Sequence, residues 1–586
     1  MKSLWIRWAG VGLLGMGSAV GAVFQSGPNG KPMRWNMNFY DAGLFPDQNP
    51  QTLAIRYHIA SEGWSTANRA KELDSIRAAF ALWESVPGTK VKFEESTPVS
   101  GINDISYLDG VNMVVWLNSN RMINGGLTHF PFGVTGVTVL AGSGSDEIIA
   151  EADIVLNRDL PWFTEFEPGR NSGINVESVV LHEIGHWLGL NHAAVGGATM
   201  FWYATPGIGA TAGLSSDDIV GVRAVYPAAG TPYARISGTL TLNGAGFKGA
   251  VVTAEDPQGR VVAAVVSRNG GAYEMAGLPA GELRLRVTPL DPGASGDGYL
   301  VRGADLDTTT NFEFNSVGTD FLPKTNEVVT LAAGQSVTRN LALTAGIPPF
   351  RITETRRYLT AEGLSSGDET PQLRPGQTNA WVAVYVPGLA AGPATLRLTG
   401  DGIEYGATEV TPRALRQLTR VQVPVSVSSN AVPGLRSLQL TVNGYTAWAN
   451  GFVEILPTTY DFNGDGLDDL FQRKYFSPFT RAEARPGVDV DGDGFSNARE
   501  ATMGSDPTDR NSVNYRITSV KQTVSGTTLT WESGLGKKYQ ILSRSRLENS
   551  PWEVVATGIT SAGETTQWTD GRPGTEQRFY RVGDAP

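Results

Sequence analysis

Apolar residues along this chain follow two rhythms, and the change from one to the other divides it. Over Asn68–Ser85, Leu73, Ile76, Phe80 and Trp83 recur at three- and four-residue steps, which puts them on one face of a helix. Ser65 or Thr66 stands where an N-cap belongs. Leu53–Ile59, Thr89–Glu94, Asn112–Leu117, Val134–Leu140 and Ile148–Leu156 read as strands. A second helix is expected from about Val176 to Leu188, capped by Asn175, and a third from near Ser216. Asp217 and Asp218 fall in its first turn, where the helix dipole favours negative charge. Residues 51–227 are therefore expected to form one mixed α/β domain. After Pro227 short runs punctuated by Gly, Pro, Asn and Asp replace the helical period. Beta-sandwich modules are expected at 233–345 and 346–457, an acidic Asp/Gly-rich insert at 458–510 and a last β module at 511–586.

Composition narrows the classes open to such a chain. Its 586 residues are enough for several domains with real cores. The net charge of -11 argues against a nucleic-acid or anionic-membrane partner. Cysteine is absent, which excludes disulfides, thiolate catalysis and silencing of a metal by a cysteine ligand. Lys2 and Arg7, the apolar run from Trp8 to about Val20 and the small residues Ser18–Ala22 read as a signal peptide over 1–22, cleaved after Ala22. Residues 23–50 form a short lead segment. No other apolar run is long enough to span a bilayer.

The densest chemistry lies in His182–His192, HEIGHWLGLNH, which holds three of the five histidines. On a helix His182 and His186 lie one turn apart on one face. Gly189 can adopt the left-handed conformation that ends a helix and turns the chain, which would bring back His192. Three neutral imidazoles and a water make an open catalytic zinc arrangement. Glu183 follows the first ligand and can take a proton from that water and later deliver one to a leaving amine. The extended pattern with Gly189 and His192 is far more specific than the bare HExxH.

With these residues the chain resembles the metzincins, and within them the matrixins. The resemblance runs over roughly residues 33–227. It is carried also by Ala198-Thr199-Met200, which looks like the Met-turn beneath the metal, by Leu214–Tyr226 and by Ile76–Glu94. It implies an α+β catalytic domain with a twisted mixed sheet and long helices, and a zinc endopeptidase with protein or peptide substrates. Met200 would support the metal without binding it. Val134–Leu140 would be the sheet edge that holds an extended peptide. Phe201–Gly213, with Trp202 and Tyr203, would wall the pocket. Ala193 stands where matrixins usually have Ser. His58 and His129 are too few for a second, structural zinc and read as structural histidines.

The acidic insert carries a second metal pattern. In DVDGDGFSNARE, Asp489, Asp491, Asp493, Asn497 and Glu500 occupy positions one, three, five, nine and twelve of an EF-hand-type calcium loop, with Gly494 at six and the backbone carbonyl of Phe495 as a further ligand. An earlier loop offers Asp461, Asn463, Asp465 and Asp469, but Gln472 replaces the bidentate Glu, so a weaker site is expected. Calcium here would stiffen a stalk. Ile236–Thr241 and Gly271–Val287 resemble carboxypeptidase-regulatory-like domains, and 346–457 is Ig-like in a general sense. The insert, a thrombospondin-type-3 or EF-hand-like region, together with Gly504–Asp509, Leu529–Leu542 and Phe579–Val582 resembles a C-terminal region of secreted bacterial proteins. The sequence therefore predicts a secreted, extracellular or cell-surface zinc endopeptidase. The β modules are candidates for attachment to a surface or polymer. The alternative is a surface adhesion or matrix-binding protein with an accessory or inactive peptidase fold.

Overall fold

The computed structural model describes residues 10–11, 33–61, 69–100, 109–117, 135–143, 148–166, 173–201, 213–290, 321–358, 370–415 and 418–586, the last span without 513–514, 524, 535, 549, 573–576 and 586. The signal peptide apart from Gly10–Val11, the cap at Ser65 or Thr66, His129 and the pocket wall with Trp202 and Tyr203 lie outside those residues. Among them no helix is long and apolar enough to cross a membrane. Residues 1–458 form one compact unit and 459–586 a second.

The first unit begins with the mixed domain. Its elements are β1 (Ile55–Ile59), α1 (Arg69–Glu84), β2 (Phe93–Glu95), β3 (Met113–Leu117), β4 (Gly136–Ser143), β5 (Ile148–Asn157), α2 (Val176–Trp187) and α3 (Ser216–Val225). The strands lie in the order β4-β5-β3-β1-β2. All neighbours are parallel except β4, which runs antiparallel to β5. Among the described residues only Gly10–Val11 pairs with the far side of β4. The strand expected at Thr89–Glu94 shortens to β2, because Gly88 turns the chain at φ +77 and Thr89 bridges to Pro227.

The apolar face of α1 packs between sheet and second helix. Phe80 stacks on Tyr57 of β1 at 3.8 Å between ring centroids and meets Trp187 of α2 edge-on at 5.6 Å. Trp83 is fully buried and donates its indole N–H to the Leu181 carbonyl at 2.8 Å. Burial of each such side chain stabilises the fold by roughly 2–3 kcal/mol, and the indole hydrogen bond removes the cost of a buried unpaired donor. The result is a rigid α2 laid across the sheet.

Beyond the mixed domain the chain is β-rich. Ala234–Ala345 builds two sheets around one core that includes Ile236, Val252, Leu285 and Val329. Glu354–Ile455 builds two more around a core with Val382, Val423, Leu440 and Phe452. In the second unit, short helices at Asp469–Tyr475 and Asn497–Met503 precede two three-stranded sheets.

Candidate metal centre and active site

Helix α2 carries the first half of the site. Asn175 caps it, accepting from the Ser178 N–H at 2.9 Å. His182, Glu183 and His186 follow within the next turns. At its end Gly189 adopts φ +83, and the N–H groups of Gly189 and Leu190 return to the carbonyls of His186 and Gly185, both at 2.9 Å. This left-handed stop reverses the chain. His192 is thereby brought back to α2, with ring centroids 4.9 Å from His182 and 4.6 Å from His186. The first two rings are 4.8 Å apart. One ligand nitrogen from each of the three can lie within 4.8 Å of the others.

Two of the rings are oriented by backbone carbonyls. His182 Nδ1 meets the Thr199 carbonyl at 2.7 Å, and His186 Nδ1 meets that of Leu190 at 2.9 Å. Nε2 of His186 and both nitrogens of His192 are buried with no hydrogen-bond partner. An unanswered buried polar atom costs about 1–3 kcal/mol, so these atoms point to a ligand. Burial disfavours the charged imidazole and lowers His182 to about 4 and His186 to about 3, with His192 also held well below its ordinary value. All three are neutral donors at neutral pH, as zinc requires. The donor set fits that metal.

Glu183 is buried beside them, and desolvation pushes its carboxyl up to about 8 against the opposing hydrogen bond from Thr138. Thr138 of β4 donates its hydroxyl to Glu183 Oε2 at 2.6 Å. A Cβ at Gly136 would lie 2.7 Å from Glu183 Oε1, so glycine there lets β4 approach the carboxylate. The sequence reading missed Thr138, because nothing in the local pattern of a strand marks a partner 45 residues away.

Met200 is buried against α2, where a Cβ at Gly185 would come within 2.1 Å of its sulfur. Its loop hangs from α3. Asp218 accepts from the N–H groups of Thr199 at 2.9 Å and Met200 at 3.1 Å. Asp218 also completes a capping box with Ser215. An aspartate read only as complementing the helix dipole thus anchors the Met200 loop. His58 lies apart, with Nδ1 at 2.7 Å from Thr97 O and Nε2 at 3.2 Å from Asp47, which accounts for it structurally.

The second cluster lies in the other unit. Asp489, Asp491 and Asp493 bring carboxylate oxygens within 4.8 Å of one another. Asp489 accepts the N–H groups of Gly492, Asp493 and Gly494, which curls the loop. Asn497 donates its amide to the carbonyls of Glu483 and Arg485. Asn497 Oδ1, Asp491 Oδ2 and Glu500 Oε2 are buried without a partner. Burial, and then the three aspartates, raise the Glu500 carboxyl to about 7. Phe495 is buried in the loop. Asp461 curls the earlier loop in the same way, accepting from Asp465 and Gly466. Asn463 there donates to Asp465 and to Gln472, and Asp469 accepts from Phe462. Gln472 donates its amide to Asp465 at 2.8 Å, placing a donor where the later loop has the acceptor Glu500.

The lowered values at the three imidazoles have a direct check. In metal-free protein the His182 and His186 rings are expected to stay neutral as pH falls from 8 to about 5, and to take up protons only near 4 and 3. NMR of the ring carbons reads this, and titration of either ring near 6.5 would contradict it.

Comparison with known proteins agrees with this geometry. Residues 48–227 match the family model described as Matrixin, and residues 489–510 match that of the bacterial TSP3 repeat. The chain is similar to metalloendoproteinase 4-MMP of Arabidopsis thaliana, 32% identical over 153 residues, which cover 26% of this chain and 39% of that protein. It is also similar to hatching enzyme of Paracentrotus lividus, 30% identical over 165 residues, covering 28% of this chain and 24% of that protein. The match thus spans less than half the length of either relative. The chain carries a matrixin domain over residues 48–227, followed by a largely β-rich remainder with a bacterial TSP3 repeat near its C-terminus.

Proposed function

We propose that this protein is a secreted zinc endopeptidase that hydrolyses peptide bonds of extracellular proteins, with Glu183 as general base. The observation that carries this reading is the convergence of three neutral imidazoles, two from α2 and one from the turn after it, beside the buried carboxyl group of Glu183. His182, His186 and His192 would hold the zinc, which when bound acts as a Lewis acid and makes water a nucleophile at neutral pH. Glu183, whose raised carboxyl would be drawn back to the ionised form by the charge of the bound cation, takes a proton from the attacking water. As the C–N bond breaks, it delivers that proton to the departing nitrogen. Thr138 holds Oε2, which leaves Oε1 to face the water. A substrate peptide would lie along β4 as one more antiparallel strand, on the side that Gly10–Val11 occupies until the leader is removed. Matrixin relatives named as a metalloendoproteinase and a hatching enzyme support the peptidase class. Secretion rests on the apolar leader and on the TSP3 repeat.

The purified protein is expected to contain about one zinc per chain and to cleave denatured protein near neutral pH. Glu183→Ala should keep the zinc and lose nearly all turnover, whereas His186→Ala should lose the metal. Metal analysis beside a peptide-library digest reads both. A Glu183→Ala protein with wild-type turnover would sink the assignment of the base.

Thr138→Val keeps the shape of the side chain and removes the donor to Glu183. A hydrogen bond to a charged group is worth about 1.5–3 kcal/mol, so kcat should fall roughly tenfold to a hundredfold while KM stays nearly constant. Thr138→Ser should recover most of it. An equal loss in the serine variant would mean that Thr138 only packs.

The loop from Asp489 to Glu500 would hold one calcium ion through Asp489, Asp491, Asp493, Asn497, Glu500 and the Phe495 carbonyl. Asp461, Asn463, Asp465 and Asp469 would form a weaker site. Calcium should raise an unfolding transition of the full chain by RT ln(1 + [L]/Kd). Glu500→Ala should abolish most of that rise and leave zinc content unchanged. Calorimetry with millimolar calcium is the test, and a transition that ignores the ion would count against both loops.

A further inference from the structure

The segment from Ala193 to Phe201 carries no helix or strand, yet each of its residues is buried. Loops normally run over a surface, because their backbone groups need partners. Here the partners of Gly196 and Gly197 come from the β-rich module over 370–455. The N–H groups of Gly196 and Gly197 donate to the carbonyls of Asn450 and Gly451, both at 3.0 Å. Thr370 Oγ1 donates to the Gly196 carbonyl at 2.9 Å. Phe201 enters the apolar core of that module and meets Phe452 edge-on at 5.4 Å between centroids.

The fit leaves no spare volume. A Cβ at Gly196 would lie 2.4 Å from the Phe452 ring, one at Gly197 would lie 2.3 Å from Leu435, and one at Gly451 would lie 2.3 Å from Val195. On the other side the same segment packs Met200 against Gly185 of α2 and sets the Thr199 carbonyl on His182 Nδ1. A displacement at Gly196 would therefore reach a ligand ring within a few residues.

We propose that four residues of the 370–455 module, Thr370, Asn450, Gly451 and Phe452, are positioning residues that hold the 193–201 loop, and through Thr199 the imidazole of His182, in ligand geometry. The matrixin domain of this chain would then depend on a neighbouring module for its metal affinity. The kinetic part of this inference rests on the peptidase reading above.

The test uses the full chain. Gly196→Ala drives a methyl into Phe452. Thr370→Val keeps the packing and removes one hydrogen bond. Gly196→Ala combined with Phe452→Ala gives the methyl room. Leu440→Ala, equally buried in the same core, is the control for plain loss of stability. Readouts are the zinc dissociation constant, the visible spectrum of cobalt-substituted protein, and kcat and KM on a peptide. Gly196→Ala is expected to weaken zinc roughly tenfold or more, shift the cobalt bands and lower kcat more than it changes KM. Thr370→Val should act in the same direction severalfold. The double variant should recover relative to Gly196→Ala alone, and Leu440→Ala should lower the melting temperature without moving the other readouts. Wild-type zinc affinity and cobalt spectra in both Gly196→Ala and Thr370→Val would overturn the proposal, as would equal shifts in Leu440→Ala. If the wild-type chain cleaves no peptide, the peptidase reading fails while zinc affinity and cobalt spectra still decide the clamp.

Discussion

Two of the three converging imidazoles are held in orientation by a fixed backbone carbonyl at Nδ1, and much of the architecture around α2 follows from that demand. The acceptor for His186 is the Leu190 carbonyl, supplied by the turn at Gly189. The acceptor for His182 is the Thr199 carbonyl, supplied by a loop that α2 cannot form itself. Each hydrogen bond fixes which nitrogen remains for the metal. The helix stop and the 193–201 loop supply these two acceptors.

The same demand explains why adjacent acidic residues at the start of α3 face different ways. Asp218 takes the backbone N–H groups of Thr199 and Met200, while Asp217 accepts from the Ala264 N–H at 2.7 Å in the first β-rich module. Val220 of α3 joins the core of that module. Helix α3 is thus pinned on both sides. A buried carboxylate accepting several backbone N–H groups is satisfied without a counter-ion, which suits a site where nearby cationic side chains would repel a zinc ion.

The second unit solves a different problem with different chemistry. Oxygen donors in a curled loop suit a hard cation, and imidazoles suit zinc, so the two clusters need not compete for one ion. At the later loop Lys537 lies 3.5 Å from Asp493 and 5.0 Å above the Phe495 ring, which ties the loop to the sheets that follow it. That tie gives an ion in the loop a route to stabilise the whole unit.

Whatever depended on local spacing was legible in the sequence alone. The i, i+4 histidines, the left-handed Gly189, the Asn175 cap and the calcium-loop pattern are properties of a few consecutive residues, and helix or loop geometry translates them directly into space. The strand ends were less legible, since Thr89 and Lys90 were drawn away to Pro227 and Tyr226 by contacts that no local period announces. Thr138, Asp218 and the Asn450–Phe452 clamp were not legible at all as parts of the site. A threonine in a strand, an aspartate in a first helical turn and a phenylalanine in the core of a β-rich module each satisfy an ordinary local rule. Their effect on the site comes from partners far along the chain, 174 residues away for Thr370 and Gly196, and only the packed tertiary structure decides which of those partners meet.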